Sequence, residues 1–301
     1  MRVARIKTIL TWFALCAAAG VAQGAQGKRA MTPEELSRLT TGTSEQQRKA
    51  FPPHKVIGNI YSVGTEIQGS FLVTTPEGHI LVNSNFEETV PLLRESVEKL
   101  GFRFADIRIV LGSHAHGDHM EGDARVKELT GARVMAMEQD VPALERMRPG
   151  GKAHPIDRVL RDGDEVTLGG TTLFARHTPG HTSGNTTWLM KAQDGGRAYD
   201  VVILGGMGVT ANAALVGSAG LTPLAEDYIR SFKLLRSIPC DVPLGSHTSM
   251  YNMTQKYARM GKGPSGTENP YIDPEAYVEE LDARERVFNL RVQAQKKAAG
   301  L

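Results

Sequence analysis

The hydrophobic pattern near the start of the chain first alternates as in strands and then recurs as in a helix. Apolar runs at residues 55–63, 69–74 and 79–83 predict antiparallel strands, and the letters TPEG between the last two predict a hairpin turn. From residue 87 or 89 to residue 100 the apolar positions recur at helical spacing, and Gly101 is a typical helix end. The chain therefore begins with a small sheet and a covering helix.

The next part of the pattern alternates strands with helices. The letters DIRIVLGSH at residues 106–114 predict a buried strand, and a helix is expected over about residues 122–130. The letters ARVMAM at residues 132–137 predict another strand, and residues 139–147 predict a further helix. This βαβα order is typical of an α/β domain whose sheet is covered by helices.

Strand signals return in the second half of the chain, so sheet character appears twice. A helix near residues 225–238 and a long closing helix from residue 274 to about residue 297 follow these strands. The predicted strands lie at residues 165–168, 171–177, 186–190, 199–204 and 242–244.

Residues 1–24 have the pattern of a secretory signal peptide. Three basic residues precede an apolar run that ends near residue 21, and small residues follow it. The run is shorter than the roughly 20 residues that span a bilayer, so a cleaved segment is favoured over a membrane anchor. A lipid anchor at Cys16 is the weaker alternative because bulky Leu15 precedes it. We expect a periplasmic or secreted protein without stable membrane association after cleavage.

Charge and size narrow the possible functions. Removing residues 1–24 takes away three basic residues and no acidic ones, so the formal net charge falls from +2 to −1. A nearly neutral chain without a basic stripe argues against a nucleic-acid partner. About 275 residues remain, which is enough for one large α/β domain or two small ones. Only Cys240 remains among the cysteines, so no internal disulfide is expected.

The densest chemistry lies in the letters SHAHGDH, where three histidines and an aspartate fall within six residues. His114 and His116 alternate along an extended segment, so both imidazoles can point to the same side. Gly117 lets the backbone turn before Asp118 and His119. Imidazole and carboxylate groups suit zinc, but one segment can hardly close a tetrahedral shell alone. Further ligands are therefore expected from elsewhere in the chain.

His181 and His247 are the candidates for those further ligands. Each stands in a loop marked by glycine or proline at the end of a predicted strand. Six ligands make two sites of three, and each site keeps a position open for water. Two such metals lower the pKa of water from about 15.7 towards 7 and can share the resulting hydroxide. The residues predict a two-metal hydrolytic centre; a metal site without catalysis is the alternative reading of the same cluster.

The other histidines and one glycine-rich stretch have simpler interpretations. His54, His79, His154 and His177 occur singly, and we interpret them as surface or satisfied core residues. The letters LGGMG at residues 204–208 lack both the lysine of a phosphate loop and the G-x-G-x-x-G spacing. Tight backbone packing beside the metal site is the favoured interpretation of this stretch.

At these residues the sequence resembles the metallo-β-lactamase superfamily, and more closely its subclass B3. The likeness covers nearly all of the chain after residue 24 and includes GSHAHGDHMEGDA, DRVLRDGDEVTLGGTTL and HTPGHTSGNTTW. It implies an αββα sandwich of two mixed sheets with helices on the outer faces, as a single domain at residues 55–301 behind an N-terminal arm at residues 25–54. The resemblance also implies two Zn²⁺ ions, the first held by His114, His116 and His181 and the second by Asp118, His119 and His247.

Comparison within the superfamily favours B3 and reveals a departure from it. Glyoxalase II, lactonases and ribonuclease Z generally carry a metal-bridging aspartate on the strand after the third histidine, and subclasses B1 and B2 carry a cysteine ligand there. Here that strand reads DVVILGGMGV. Typical B3 enzymes have two serines there that help to hold the substrate, but this chain has Gly206 and Gly208. Asn185, where many relatives have cysteine or serine, is a smaller departure.

The resemblance implies a zinc-dependent hydrolase that opens the β-lactam ring of penicillins, cephalosporins and carbapenems, an antibiotic-resistance activity. A metal-bound hydroxide would attack the lactam carbonyl without a covalent enzyme intermediate. His116 and Asp118 are the candidate catalytic residues, because both bind metal and Asp118 would also orient the hydroxide. The alternative is a hydrolase of the same fold that acts on another ester, lactone or amide and turns over β-lactams weakly. Either way the partner is a small-molecule substrate, and the sequence leaves the oligomeric state open.

Overall fold

The computed structural model describes residues 44–262 and 268–301. These residues belong to one compact unit, Thr32–Leu301. The predicted signal peptide, residues 1–24, and the first part of the predicted arm, residues 25–43, lie outside the described residues. Within the described part of the chain, no helix combines the length and apolar character that crossing a membrane requires.

The first half of the described chain builds a seven-stranded sheet whose strands lie side by side in chain order. Strands β1 to β4 are antiparallel neighbours, whereas β4 to β7 are parallel, so the sheet is mixed. The strands are β1 His54–Ile57, β2 Ile60–Ser62, β3 Phe71–Thr75, β4 Gly78–Val82, β5 Ile107–Leu111, β6 Arg133–Met137 and β7 Arg158–Leu160.

The second half builds a five-stranded sheet in the order β14-β11-β10-β9-β8. Its neighbours are antiparallel except for β11 and β14, which are parallel, so this sheet is also mixed. A two-stranded ribbon, β12 with β13, follows β11 in the chain. The strands are β8 Glu165–Leu168, β9 Thr171–His177, β10 Thr186–Asp194, β11 Arg197–Leu204, β12 Val216–Gly217, β13 Gly220–Leu221 and β14 Val242–Gly245.

Helices connect the strands and cover the sheets. The α-helices are α1 Ser44–Arg48, α2 Val90–Lys99, α3 Gly117–Met120, α4 Asp123–Thr130, α5 Val141–Leu144, α6 Pro223–Arg236, α7 Met253–Arg259 and α8 Pro274–Ala299. Short 3-10 turns lie at Glu87–Thr89, Phe104–Asp106, Glu138–Asp140, Pro149–Gly151 and Thr248–Tyr251.

The core has the layers that an αββα sandwich requires. Along β3, Phe71 joins a buried cluster that includes Trp188 of the second sheet. Its neighbour Leu72 belongs to a separate cluster with Val97 of α2. Successive strand residues face opposite sides of a sheet, so one side of the first sheet packs on the second sheet and the other side on helices. Phe288 of α8 also joins the larger cluster, and α8 contacts β14 of the second sheet. The predicted fold class is confirmed.

Some element boundaries differ from the sequence-based prediction. The run at residues 55–63 is two strands, because Gly58 adopts a positive φ of 52° and turns the chain between β1 and β2. The first strand begins at His54, one residue before the predicted start of the domain. The helix expected up to residue 147 ends at Leu144. Arg148, which precedes a proline, has a non-helical φ of −128° and ψ of 66°.

Candidate metal centre

The six predicted ligands meet where strands of both sheets end. His114 follows β5, His181 lies in the loop between β9 and β10, and His247 follows β14. Two hydrogen bonds join the sheets beside them. The Thr186 N–H donates to Ser113 O at 2.8 Å, and the indole of Trp188 donates to Gly112 O at 3.1 Å. The site therefore lies where hydrogen bonds connect β10 of the second sheet to the segment after β5 of the first sheet.

The ligands form two groups of three. The first triad is His114, His116 and His181, and the second triad is Asp118, His119 and His247. Within these groups one potential ligand atom from each residue lies within 4.8 Å of the others. The triads adjoin, since the ring centroids of His114 and His119 are 4.2 Å apart. This grouping is the one that the resemblance implies, and we call the two triads together the candidate metal centre.

Backbone geometry places the residues of the SHAHGDH segment. His116 is extended, with φ of −114° and ψ of 151°, and begins the short helix α3, which carries Asp118 and His119. Asn83 accepts the Ser113 N–H at 2.8 Å through its side-chain oxygen and has a positive φ of 64°. The Ser84 N–H donates to His119 O at 2.9 Å. The loop after β4 therefore fixes both ends of the segment.

Asp140 connects the first histidine segment to the His181 loop, a role that the sequence analysis did not predict. One carboxylate oxygen accepts the Ala115 N–H at 2.8 Å and the Thr182 hydroxyl at 2.9 Å. The other oxygen accepts the Gly184 N–H at 2.7 Å. Asp140 is buried, and a Cβ at Gly184 would collide with it. The Asp140 side chain thus bridges the two loops that supply the first triad.

Replacing Asp140 by alanine is expected to lower the free energy of unfolding by about 3 kcal/mol, because two backbone N–H groups and a hydroxyl lose a charged acceptor. Urea unfolding in the presence of a chelator measures this loss without a contribution from bound metal. Asp162→Ala is the matched control, since Asp162 also accepts two hydrogen bonds but on the exposed surface. Equal losses for the two variants would contradict the bridging role.

The environment of His181 selects its tautomer. Its Nδ1 lies 2.6 Å from Gly208 O, and a carbonyl only accepts, so Nδ1 carries the proton. The Nε2 lone pair is then available to a metal. The Tyr228 hydroxyl donates to the same carbonyl at 2.9 Å. The backbone oxygen of Gly208 therefore orients the His181 ring of the first triad.

Burial keeps four imidazoles of the centre neutral, those of His114, His116, His181 and His247. It lowers the pKa of His181 to about 4 and that of His247 to about 3, and neighbouring imidazoles add to both effects. The pKa of His114 is well below its usual value, and that of His116 is also lowered, for the same main reason. Neutral imidazole is the form that binds metal.

The carboxyl group of Asp118 shows the opposite balance. Burial would raise the pKa of this carboxyl, but the nearby ring of His119, and then those of His247 and His116, lower the pKa overall. Its Oδ2 atom lies 3.2 Å from His119 Nε2 and 3.7 Å from His247 Nε2. At neutral pH the second triad therefore presents the negative charge of the Asp118 carboxylate.

The donor set fits a divalent metal. The Nε2 atoms of His114 and His119 are buried and lack a hydrogen-bond partner among the described residues. Buried ring nitrogens are normally paired, so unpaired ones that converge beside a carboxylate are suited to a cation. Three imidazoles, or two imidazoles with a carboxylate, are donor sets that zinc prefers.

The glycine stretch after β11 packs tightly, as predicted. Asn185 accepts the Gly206 N–H at 2.6 Å and donates to Thr178 O at 2.7 Å. A Cβ at Gly206 would overlap the ring of His181, whereas one at Gly208 would meet open space within the described structure. The resemblance implies that both glycines lie beside the substrate, but nothing in the sequence indicates that Gly206 packs against the His181 ring.

The four single histidines lie outside both triads. His54 pairs with the Tyr271 hydroxyl at 2.6 Å, and His177 Nε2 lies 2.7 Å from Ser183 O. His79 packs edge-on against Phe102, and His154 Nε2 lies 3.1 Å from Met120 O. The prediction of surface or satisfied core positions agrees with the surroundings of His54 and His177, whereas the Nδ1 atoms of His79 and His154 are buried without a hydrogen-bond partner among the described residues.

A family model and similar solved structures both relate this chain to the metallo-β-lactamases. The model of the metallo-β-lactamase superfamily matches residues 63–247. The chain is similar to the native FEZ-1 metallo-β-lactamase from Legionella gormanii, with 39% identity and a TM-score of 0.77 over 83% of this chain and 98% of that one. It is also similar to BJP-1, a subclass B3 metallo-β-lactamase of Bradyrhizobium japonicum, with 33% identity and a TM-score of 0.75 over 85% and 98% of the two chains.

Curated relatives with a different activity match a shorter part of the chain. The hydroxyacylglutathione hydrolase of Methylococcus capsulatus is 31% identical over 147 residues, which are 49% of this chain and 49% of that protein. The hydroxyacylglutathione hydrolase of Hyphomonas neptunium is 32% identical over 111 residues, or 39% of its length. The chain thus spans about half the length, or less, of these curated relatives.

Proposed function

Because the chain belongs to the metallo-β-lactamase superfamily, we propose that it hydrolyses β-lactam antibiotics with two zinc ions bound at the candidate metal centre. The observation that carries the proposal is the pair of adjoining triads, which includes a single carboxylate, that of Asp118. The solved structures named as metallo-β-lactamases support it, because they are similar to this chain over nearly their whole length.

Each part of the centre has a chemical task in this proposal. Bound zinc would polarise the lactam carbonyl and lower the pKa of water. The neutral imidazoles of the first triad would hold one ion, and the hydrogen bond from His181 Nδ1 to Gly208 O keeps its other ring nitrogen unprotonated. The Asp118 carboxylate would supply negative charge to the second ion and would accept a hydrogen bond or proton from the attacking water.

The end of β11 favours a lactam over the thioester of the curated relatives. Within the superfamily that the sequence resembles, glyoxalase II generally carries a metal-bridging aspartate on the strand that corresponds to β11. Here β11 ends at Leu204, and Gly205 and Gly206 follow. The backbone at Gly206 packs against His181 so closely that a side chain would overlap the ring. A metal-bridging aspartate at position 206 is therefore incompatible with the observed packing.

A second candidate function keeps the same centre but uses another ester, thioester or lactone as substrate. Two observations favour it. The chain has glycines where B3 enzymes typically have substrate-binding serines, and the space beside Gly208 is open in the described structure. The hydroxyacylglutathione hydrolases are also sequence relatives over part of the chain. In this case β-lactam turnover would be weak.

Substrate assays separate the two candidates. Purified protein is given a penicillin, a cephalosporin, a carbapenem, a hydroxyacyl-glutathione thioester and a simple lactone, each with added zinc and with a chelator. Fast, chelator-sensitive loss of the lactam absorbance supports the proposal. Protein that holds two zinc ions yet turns over only the thioester or lactone would contradict it and support the second candidate.

A further inference from the structure

Gln68 is a fully buried glutamine in the loop between β2 and β3, next to the second triad. Its backbone pairs with that of His247 in an isolated antiparallel bridge. The flanking residues continue this contact, since the Gly69 N–H donates to Ser246 O and the Thr248 N–H donates to Ile67 O, both at 2.8 Å. The loop therefore holds the backbone of one ligand of the second triad.

The side chain of Gln68 reaches another ligand of the same triad. Its Nε2 donates to Asp118 Oδ2 at 3.1 Å. This oxygen is the one that lies 3.2 Å from His119 Nε2 and 3.7 Å from His247 Nε2. Gln68 thus contacts two of the three ligands, one through its backbone and one through its side chain.

The chemistry of the contact fixes the orientation of the amide. If nitrogen and oxygen were exchanged, the amide oxygen would face a carboxylate oxygen, and both atoms only accept hydrogen bonds. In the observed orientation Oε1 is buried and has no hydrogen-bond partner within residues 44–262 and 268–301. The Gln68 amide therefore makes its hydrogen bond to Asp118 through Nε2, while its Oε1 atom stays buried and unpaired.

We propose that Gln68 is a positioning residue of the second triad, whose amide holds the Asp118 carboxylate in place and so sets the affinity of the second metal ion relative to the first. A carboxylate oxygen has two lone pairs, so Oδ2 can bind a metal and accept the Gln68 N–H together. Partners that orient a metal ligand typically contribute about 10- to 100-fold to metal affinity. This inference rests on the two-zinc part of the proposed function but not on the substrate.

Zinc titration of the full-length protein against a competing chelator tests the inference without any activity assay. We expect two dissociation constants for the native chain. Gln68→Leu keeps the volume but removes the donor, and it should raise the second constant about 10- to 100-fold while the first changes less than about twofold. Asn59→Leu is the control, since Asn59 also donates from a side-chain amide but lies in the turn between β1 and β2. It should change neither constant.

A second variant separates positioning from direct ligation. Gln68→Glu removes the N–H donor and places a second carboxylate beside Asp118, so a positioning role predicts weaker or misplaced binding of the second ion. Equal or tighter binding by Gln68→Glu would overturn the inference, because it would show that an oxygen at this position ligates the metal. Circular dichroism of each variant establishes that it is folded, and Gln68→Met replaces Gln68→Leu if the latter is not.

The remaining outcomes distinguish this inference from the proposal on which it rests. A native protein that binds only one zinc ion would overturn the two-zinc proposal and the role of Gln68 with it. Two native sites that are unchanged in Gln68→Leu, or that are both weakened equally, would overturn the role of Gln68 alone.

Discussion

Asp118→Ala is expected to lower kcat/KM at least about a thousandfold on whichever substrate the native protein hydrolyses. Asp118 supplies the single carboxylate of the second triad, and its Oδ2 atom faces the ring nitrogens of His119 and His247. Without it two imidazoles would have to hold the second ion alone, and the group proposed to orient the attacking water would be missing. His116→Ala should have a comparable effect, because it removes one of three ligands of the first triad.

The fold should survive the Asp118 substitution. The side chain is 19% exposed and contacts Gln68 and the histidines of the centre, not the hydrophobic clusters. Its removal also relieves the burial of a charge. Circular dichroism and the urea midpoint of the metal-free protein check this, with Asp194→Ala as a control at an exposed ion pair with Lys55. Full activity of a folded Asp118→Ala protein would contradict the assignment of the centre.

The grouping of the six candidate ligands could be predicted from the sequence because most of their signal is local. His114 and His116 alternate on one extended segment, and Asp118 and His119 follow after a glycine, so spacing alone indicates a cluster. Glycine and proline mark loops at strand ends, and these loops indicate His181 and His247 as further candidates. The resemblance then supplied the pairing of ligands, which the two observed triads match.

The residues that hold the ligands could not be predicted in this way. Asp140 accepts hydrogen bonds from Ala115 and Gly184, which are 25 and 44 residues away in the chain. Gln68 reaches Asp118 across 50 residues. Neither residue belongs to a metal-ligand motif, and an isolated aspartate or glutamine is ordinarily a surface residue. Their roles exist only once the two sheets have packed together.

Gly206 shows how the structure changes the meaning of a sequence difference. The sequence comparison treats Gly206 and Gly208 alike, as two positions where a substrate-binding hydroxyl is missing. The structure separates them, because a Cβ at Gly206 would overlap His181, while a Cβ at Gly208 would enter open space in the described part of the molecule. Position 206 requires glycine because the His181 ring lies against it, whereas position 208 has room for a side chain.

Gly206→Ser is accordingly expected to lower turnover about a hundredfold, although serine is the residue typical of B3 enzymes there. The His181 ring is held by its hydrogen bond to Gly208 O and has to move when a side chain enters beside it. A displacement of about 1 Å in a catalytic group can cost about a hundredfold in rate. Zinc titration should show weaker binding at the first triad and little change at the second.

Gly208→Ser is the matched comparison, because it adds the same hydroxyl two residues away without touching the ring. It should keep the zinc affinity of the first triad, so any change in KM for a penicillin reports on the substrate alone. If Gly206→Ser instead kept its zinc and hydrolysed penicillin faster than the native chain, His181 would have room to move. The absence of a serine hydroxyl at position 206 would then distinguish this chain from the B3 enzymes, and the close packing of Gly206 against the His181 ring would not.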